Sequence, residues 1–156
     1  MKSRHRAREI ALQVLYRYDV AAHSGGVNHV PSSRELAAEI AEHFDHFQVN
    51  AELREFAAQL VAGTLRDLTY LDQLLERQAS NWKVSRMGFV DRSLLRMALY
   101  ELIHFPDTQV AVIIDEAVEL GKQFGTADTP SFVNGILDAV KNSIQRDGDL
   151  DPAVGS

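Results

Sequence analysis

The 156-residue chain is 46% hydrophobic, enough to fill one domain or two helical subdomains sharing a core, and this points to a folded globular protein. Its formal net charge of −6 excludes a surface that is basic all over, and the absence of cysteine excludes disulfides, thiolate metal sites and thiol nucleophiles while agreeing with a reducing compartment. No apolar run approaches the roughly 20 residues needed to span a bilayer, and the basic start is not followed by the apolar segment of a secretory signal, so a cytoplasmic protein without a membrane span is expected.

Positive charge is concentrated at the start, where Lys2, Arg4, Arg6 and Arg8 are four of the 16 Lys and Arg residues, with His5 among them. From Ala7 to Tyr18, the residues Ile10, Ala11, Val14, Leu15 and Tyr18 form the stripe of an amphipathic helix, with the arginines at its amino-terminal end. The stretch 23–33 contains Gly25, Gly26 and Pro31 and reads as a loop, the best candidate for a mobile insertion; Arg34 to Phe47 then resumes a helical pattern. Asn50 is a candidate N-cap for a helix burying Leu53, Phe56, Ala57, Leu60 and Val61. Leu65, Leu68, Leu71 and Leu75 continue the periodicity toward Gln78, with Gly63 marking a bend.

Ser80 to Gly88 interrupts the pattern, after which Val90, Leu94, Met97, Ala98, Leu102 and Ile103 predict a central core helix ended by Pro106. Gln109 to Gln123 gives another helix, burying Val110, Ile113, Ile114, Ala117 and Leu120, and Gly125 suits its carboxy-terminal cap. The last helix opens at Asp128-Thr129-Pro130, an N-cap candidate followed by proline in the first turn, and buries Phe132, Val133, Ile136, Leu137 and Val140. The expected class is all-α, with about seven helices and no convincing strand. One domain is expected over residues 1–146, with helical units of about 1–80 and 84–146, followed by an acidic flexible tail at 147–156.

Like charges packed at Arg4, Arg6 and Arg8 repel one another and oppose the helix dipole. The cluster is either a polyanion-binding site or a solvated start tolerated because it frays. Single-stranded RNA adds aromatic stacking to such charge, and Phe124 and Phe132 flank the loop that holds Gly125, Thr126 and Asp128. Each ring either stands beside that loop or belongs to the core. His43 and His46 are three apart with no third ligand at hand, which favours a solvated helix face over a metal site. Asp115, Glu116 and Glu119 match the polar face of an amphipathic helix better than paired carboxylates for acid–base work. No phosphate-binding glycine motif, nucleophile elbow or H-E-x-x-H motif is present, so no catalytic residue, metal or cofactor is expected, and no enzyme.

The run RAREIALQVLY from Arg6 to Tyr16 resembles the opening helix of the NusB family. The second half resembles it more specifically, through VDRSLLRMALYEL from Val90 to Leu102, IDEAVEL from Ile114 to Leu120 and FVNGILD from Phe132 to Asp138. The likeness covers most of residues 2–142 and is weakest over 23–49, where this chain is longer than typical members. It implies an all-helical fold of two three-helix units packed together with an additional helix. It also implies binding of single-stranded boxA RNA from ribosomal-operon transcripts together with the small-subunit ribosomal protein that serves as NusE, in a complex that helps RNA polymerase resist termination. Carried over by motif, RNA contacts fall to Lys2, Arg4, Arg6 and Arg8, with Phe124, Asp128 and Phe132 as neighbours of the bases. Tyr16, Asp91 and Arg92 fall on the partner-facing surface. Ser3 and His5 interrupt the more continuous basic run of many members.

Two other functions fit parts of the chain. A related helical domain begins some RNA cytosine methyltransferases, but this chain is too short to add the enzyme domain and has no cofactor-binding glycine loop and no cysteine for the covalent chemistry. A homodimeric module that buries its basic segment against its own copy stays open on sequence alone.

Overall fold

Apolar residues recur at helical spacing through almost every segment, and each such stripe is stable only when another helix covers it. The computed structural model describes residues 2–23, 33–47, 51–79 and 83–147, and over these it is all helical, with no strand. Seven α-helices follow in order: α1 (Lys2–His23), α2 (Ser33–Phe47), α3 (Ala51–Arg66), α4 (Leu68–Gln78), α5 (Phe89–His104), α6 (Val110–Phe124) and α7 (Thr129–Asp147). A single 3₁₀ turn, Val84–Arg86, lies between α4 and α5. Of the expected insertion at 23–33, His23 and Ser33 are helical and 24–32 lie outside the described residues; of the expected tail at 147–156, Asp147 ends α7 and the rest lies outside them, as do the Asn50 cap and the side chains of His43 and His46.

The chain divides into two compact units, with the boundary between Leu65 and Arg66 rather than near residue 80. The first unit holds α1 to α3. Ile10, Ala11, Val14 and Leu15 on α1 and Phe56, Ala57, Leu60 and Val61 on α3 are buried as the periodicity selects, whereas Tyr18 and Leu53 are only half-buried and Leu12 and Ile40 are buried outside the selected stripes. An ion pair between Arg17 and Glu39 joins α1 to α2.

The second unit holds α4 to α7 around α5, whose Leu94, Leu95, Met97 and Leu99 are fully buried together with Leu120 of α6 and Leu137 of α7. Each such side chain stabilises the fold by about 1.5–3 kcal/mol relative to exposure. α4 belongs here because its Asp72 is bound to Arg96 of α5. Arg96 donates through Nε and Nη2 to the two oxygens of Asp72 at 2.7 and 2.8 Å, a paired geometry that fixes orientation as well as distance.

Asp67 breaks the chain between α3 and α4, so the bend falls four residues after Gly63, which is buried inside α3. The break stays where it is because the Asp67 carboxylate is held on two sides. Arg66 Nε donates to it at 2.9 Å, and His104 Nε2 lies 3.0 Å away, its ring stacked on Tyr100 with centroids 4.4 Å apart. Burial pushes the Asp67 carboxyl up, but the bonds with Arg66 and His104 outweigh it and hold the group below the ordinary value of 3.8.

Candidate nucleic-acid interface

In the first unit the basic start of α1 is helical throughout, which places Arg4 and Arg8 one turn apart on the same face. Both guanidinium groups meet the ring of Phe56 on α3, with the central carbon of Arg4 4.5 Å and that of Arg8 5.4 Å from its centroid. The negative face of the ring favours cations there, which offsets part of the repulsion between the two arginines. Arg6 donates from Nη1 to Glu9 Oε2 at 3.1 Å. The cluster is therefore balanced within its own unit, and its charge density by itself does not require an anionic ligand.

The four cations expected to touch RNA are not equivalent. Arg4 is exposed and Arg6 half-buried, whereas Arg8 is only 3% exposed. Arg8 departs from the expectation because the apolar stripe of α1 already begins at Ala7, so the next residue turns inward onto Phe56. The side chain of Lys2 lies outside the described ones. Tyr16, farther along α1, is 38% exposed, a large apolar surface facing solvent.

In the second unit the loop between α6 and α7 brings together residues that the sequence separates by almost forty positions. Gly125 does end α6, its N–H donating to Gly121 O at 3.0 Å. Its backbone is extended (φ −96°), not the left-handed conformation that makes glycine the usual cap. Glycine is needed there for space: an added Cβ would come within 2.5 Å of Thr129 Cβ and 2.7 Å of Thr129 Cγ2. Thr129 is 1% exposed, and its Oγ1 accepts from Thr126 N–H at 3.0 Å while donating to Asp91 Oδ1 at 2.6 Å.

Asp128 sits where a cap was expected, its carbonyl accepting from Phe132 N–H at 3.1 Å and its side chain exposed. The side chain that closes the turn is the one after it, Thr129. Phe124 and Phe132, at either end, are both half-buried, so neither is a full member of the core. The sequence reading places Phe56 in the core and Thr129 at a helix start, but assigns neither a role at the site. The pairing Thr129-Pro130 at a helix start was the available signal for the first, and nothing in the spacing separates Phe56 from other core rings.

Of the residues expected to face a partner in this unit, Arg92 is 2% exposed and donates from Nη1 to Val84 O at 3.0 Å, 5.3 Å from the Phe89 ring. It closes the 3₁₀ turn against α5 and has no surface to offer, which corrects that assignment. Asp91 is half-buried and turned to Thr129, so the structure groups it with the α6–α7 loop.

Among the described residues no three of His, Asp and Glu stand together as a metal site, and no helix is long and apolar enough to cross a membrane. The NusB family model matches residues 5–142, through both units. A transcription antitermination protein NusB from Desulfotalea psychrophila is 41% identical over 150 residues, spanning 94% of this chain and all of its own length. A second relative of the same name, from Desulforapulum autotrophicum, is 41% identical over 90% of this chain and 92% of its own. The structure is similar to that of T. maritima NusB, with a TM-score of 0.76 and 30% identity, covering 89% of this chain and 90% of the other. It is also similar to a chain of the antitermination factors NusB and NusE in complex with double-stranded RNA, with a TM-score of 0.74 and 26% identity, covering 92% and 98%. With near-complete coverage on both sides and through both helical units, the chain belongs to the NusB family.

Proposed function

We propose that this protein is a transcription antitermination factor that binds boxA-type single-stranded RNA of ribosomal-operon transcripts together with a NusE ribosomal protein, and so helps RNA polymerase resist termination. It acts in the cytoplasm by binding and not by catalysis. The observation that carries this function is the near-full-length likeness to a chain of a NusB–NusE–RNA complex.

Arg4 supplies phosphate contact from the first unit, with Arg6 shared between Glu9 and the ligand and Lys2 adding charge at the same helix end. In the second unit Phe124, Asp128 and Phe132 surround an exposed loop that meets bases. Rings with one accessible face provide stacking, which tolerates sequence, while fixed polar groups beside them select among bases. Tyr16 offers an amphipathic contact to the ribosomal partner, a residue type enriched at interfaces.

The test is titration of a boxA-type single strand and of its duplex into the protein, alone and with a purified NusE-type partner. The single strand should bind the pair more tightly than the protein alone, and by linkage the RNA should tighten the protein pair by the same factor. Light scattering over a concentration series runs beside it. No partner binding at micromolar concentration, unchanged RNA affinity and a concentration-dependent dimer would replace this function with the self-associating module.

A further inference from the structure

The loop between α6 and α7 shows three exposed residues to solvent, Thr126, Ala127 and Asp128, yet its backbone is held by a buried hydroxyl. Thr129 Oγ1 has one proton, and the 2.6 Å approach to Asp91 Oδ1 commits it there. The oxygen is then an acceptor toward Thr126 N–H at 3.0 Å. Thr126 Oγ1 in turn accepts from Asp128 N–H at 3.3 Å. The loop amides of Thr126 and Asp128 are thus both satisfied by hydroxyls, and the first of these hydroxyls is anchored to the amino-terminal turn of α5.

Two glycines one helical turn apart let Thr129 reach this position. A Cβ at Gly125 would collide with it, and a Cβ at Gly121 would lie 3.1 Å from its Cγ2. The apolar contacts among α5, α6 and α7 are closed by Leu94, Leu95, Leu120, Val133 and Leu137, all at 0% exposure. The polar tie adds no core packing; it sets the shape of the loop.

We propose that Asp91 and Thr129 are positioning residues for RNA recognition: their hydrogen bond holds the loop between Phe124 and Phe132 in its binding shape. This rests on the assignment of that loop to RNA given above. A loop ordered before binding does not lose its conformational freedom on contact, so affinity rises without any new contact to the ligand. Asp91 thereby acts on RNA binding through α7.

The experiment is titration of boxA-type single-stranded RNA into the full chain and four variants, each checked for folding by circular dichroism. Thr129→Val keeps the shape and removes the hydroxyl, and Asp91→Ala removes the acceptor; each should weaken RNA binding by roughly tenfold, the effect of ordering one or two side chains. Thr129→Ser and Asp91→Asn keep a donor and an acceptor and should restore binding to near the parent value. The salt dependence of binding should be the same in all of them, because no phosphate contact is lost. Hydrogen exchange at the Thr126 and Asp128 amides should accelerate in Thr129→Val and Asp91→Ala without RNA present. Should either of those two fail to fold, the other carries the test.

Phe124→Ala and Asp128→Ala are measured alongside. If they weaken binding while Thr129→Val and Asp91→Ala bind like the parent, the positioning role is wrong and the loop assignment stands. If none of the variants alters RNA affinity, both are wrong. Weak partner binding by Asp91→Ala with RNA affinity intact would return Asp91 to the partner surface and overturn the proposal.

Discussion

The start of α1 and the loop before α7 are both expected to meet RNA, yet they are built on opposite principles. At the start of α1, charge is dense and only part of it faces solvent: Arg4 is exposed, Arg6 is shared with Glu9, and Arg8 is buried against the Phe56 ring that also carries Arg4. Around the loop, no side chain is basic from Gly125 to Phe132, and position is held tightly by Thr129, Asp91 and two glycines. A charged end gives affinity that falls with salt and is indifferent to sequence, whereas a rigid loop with rings beside it gives orientation. The difference teaches that a residue can serve RNA binding either by touching the ligand or by fixing what touches it.

The largest expected effect breaks the rigid side of this comparison. Gly125→Ala drives a methyl group into Thr129 and should cost about 1–3 kcal/mol of stability, as overpacking of a closed site does. RNA affinity should fall with it. Thermal unfolding is the check, and an unchanged melting temperature would mean that the loop yields easily and is not held as described.

Next, within the charged region, Arg8 and Arg4 should separate. Arg8→Ala removes a buried stem and a desolvated contact with Phe56, and should cost up to about 2 kcal/mol of stability. Arg4→Ala should change stability by less than about 0.5 kcal/mol, the range of exposed sites, while weakening RNA. Denaturant unfolding of the two variants decides this, and equal losses would erase the distinction between a supporting and a contacting arginine.

A smaller effect concerns acid stability at the boundary between the units. The Asp67 carboxyl lies below its ordinary value of 3.8 in the folded protein, so its stabilising contribution is complete above that value and is lost as pH falls below it through the folded-state value. Asp67→Asn should therefore be less stable than the parent at neutral pH and converge with it in strong acid. Parallel unfolding curves that stay the same distance apart down to the lowest pH would contradict the role given to Arg66 and His104.

Much of the fold was legible because long helices repeat their apolar stripes. Spacing alone places Ile10, Val14, Leu60, Leu94, Leu120 and Leu137 in the core, and all are buried, whereas Val110, which the spacing also selects, stands 37% exposed in the first turn of α6. The boundary between units was not legible, since periodicity runs on through Leu65 and Leu68 while the long-range pairs Arg96–Asp72 and His104–Asp67 decide where α4 belongs. The same limit applies to the site. Charge at Arg4 and the flanking rings could be read directly, but the inward turn of Arg8 and Arg92 could not, because a charged residue beside an apolar stripe does not announce which way it faces. The Asp91–Thr129 bond spans 38 positions, and no local pattern predicts it.

The division of labour between charge and position is tested most directly by the slope of RNA affinity against salt. Binding of the boxA-type single strand would be measured from low to physiological salt for the parent, Arg4→Ala and Thr129→Val. Arg4→Ala should reduce the slope by about 0.7, the release accompanying one phosphate contact on a single strand. Thr129→Val should shift the whole line to weaker binding and leave its slope unchanged. A lower slope in Thr129→Val, or an unaltered one in Arg4→Ala, would contradict the account.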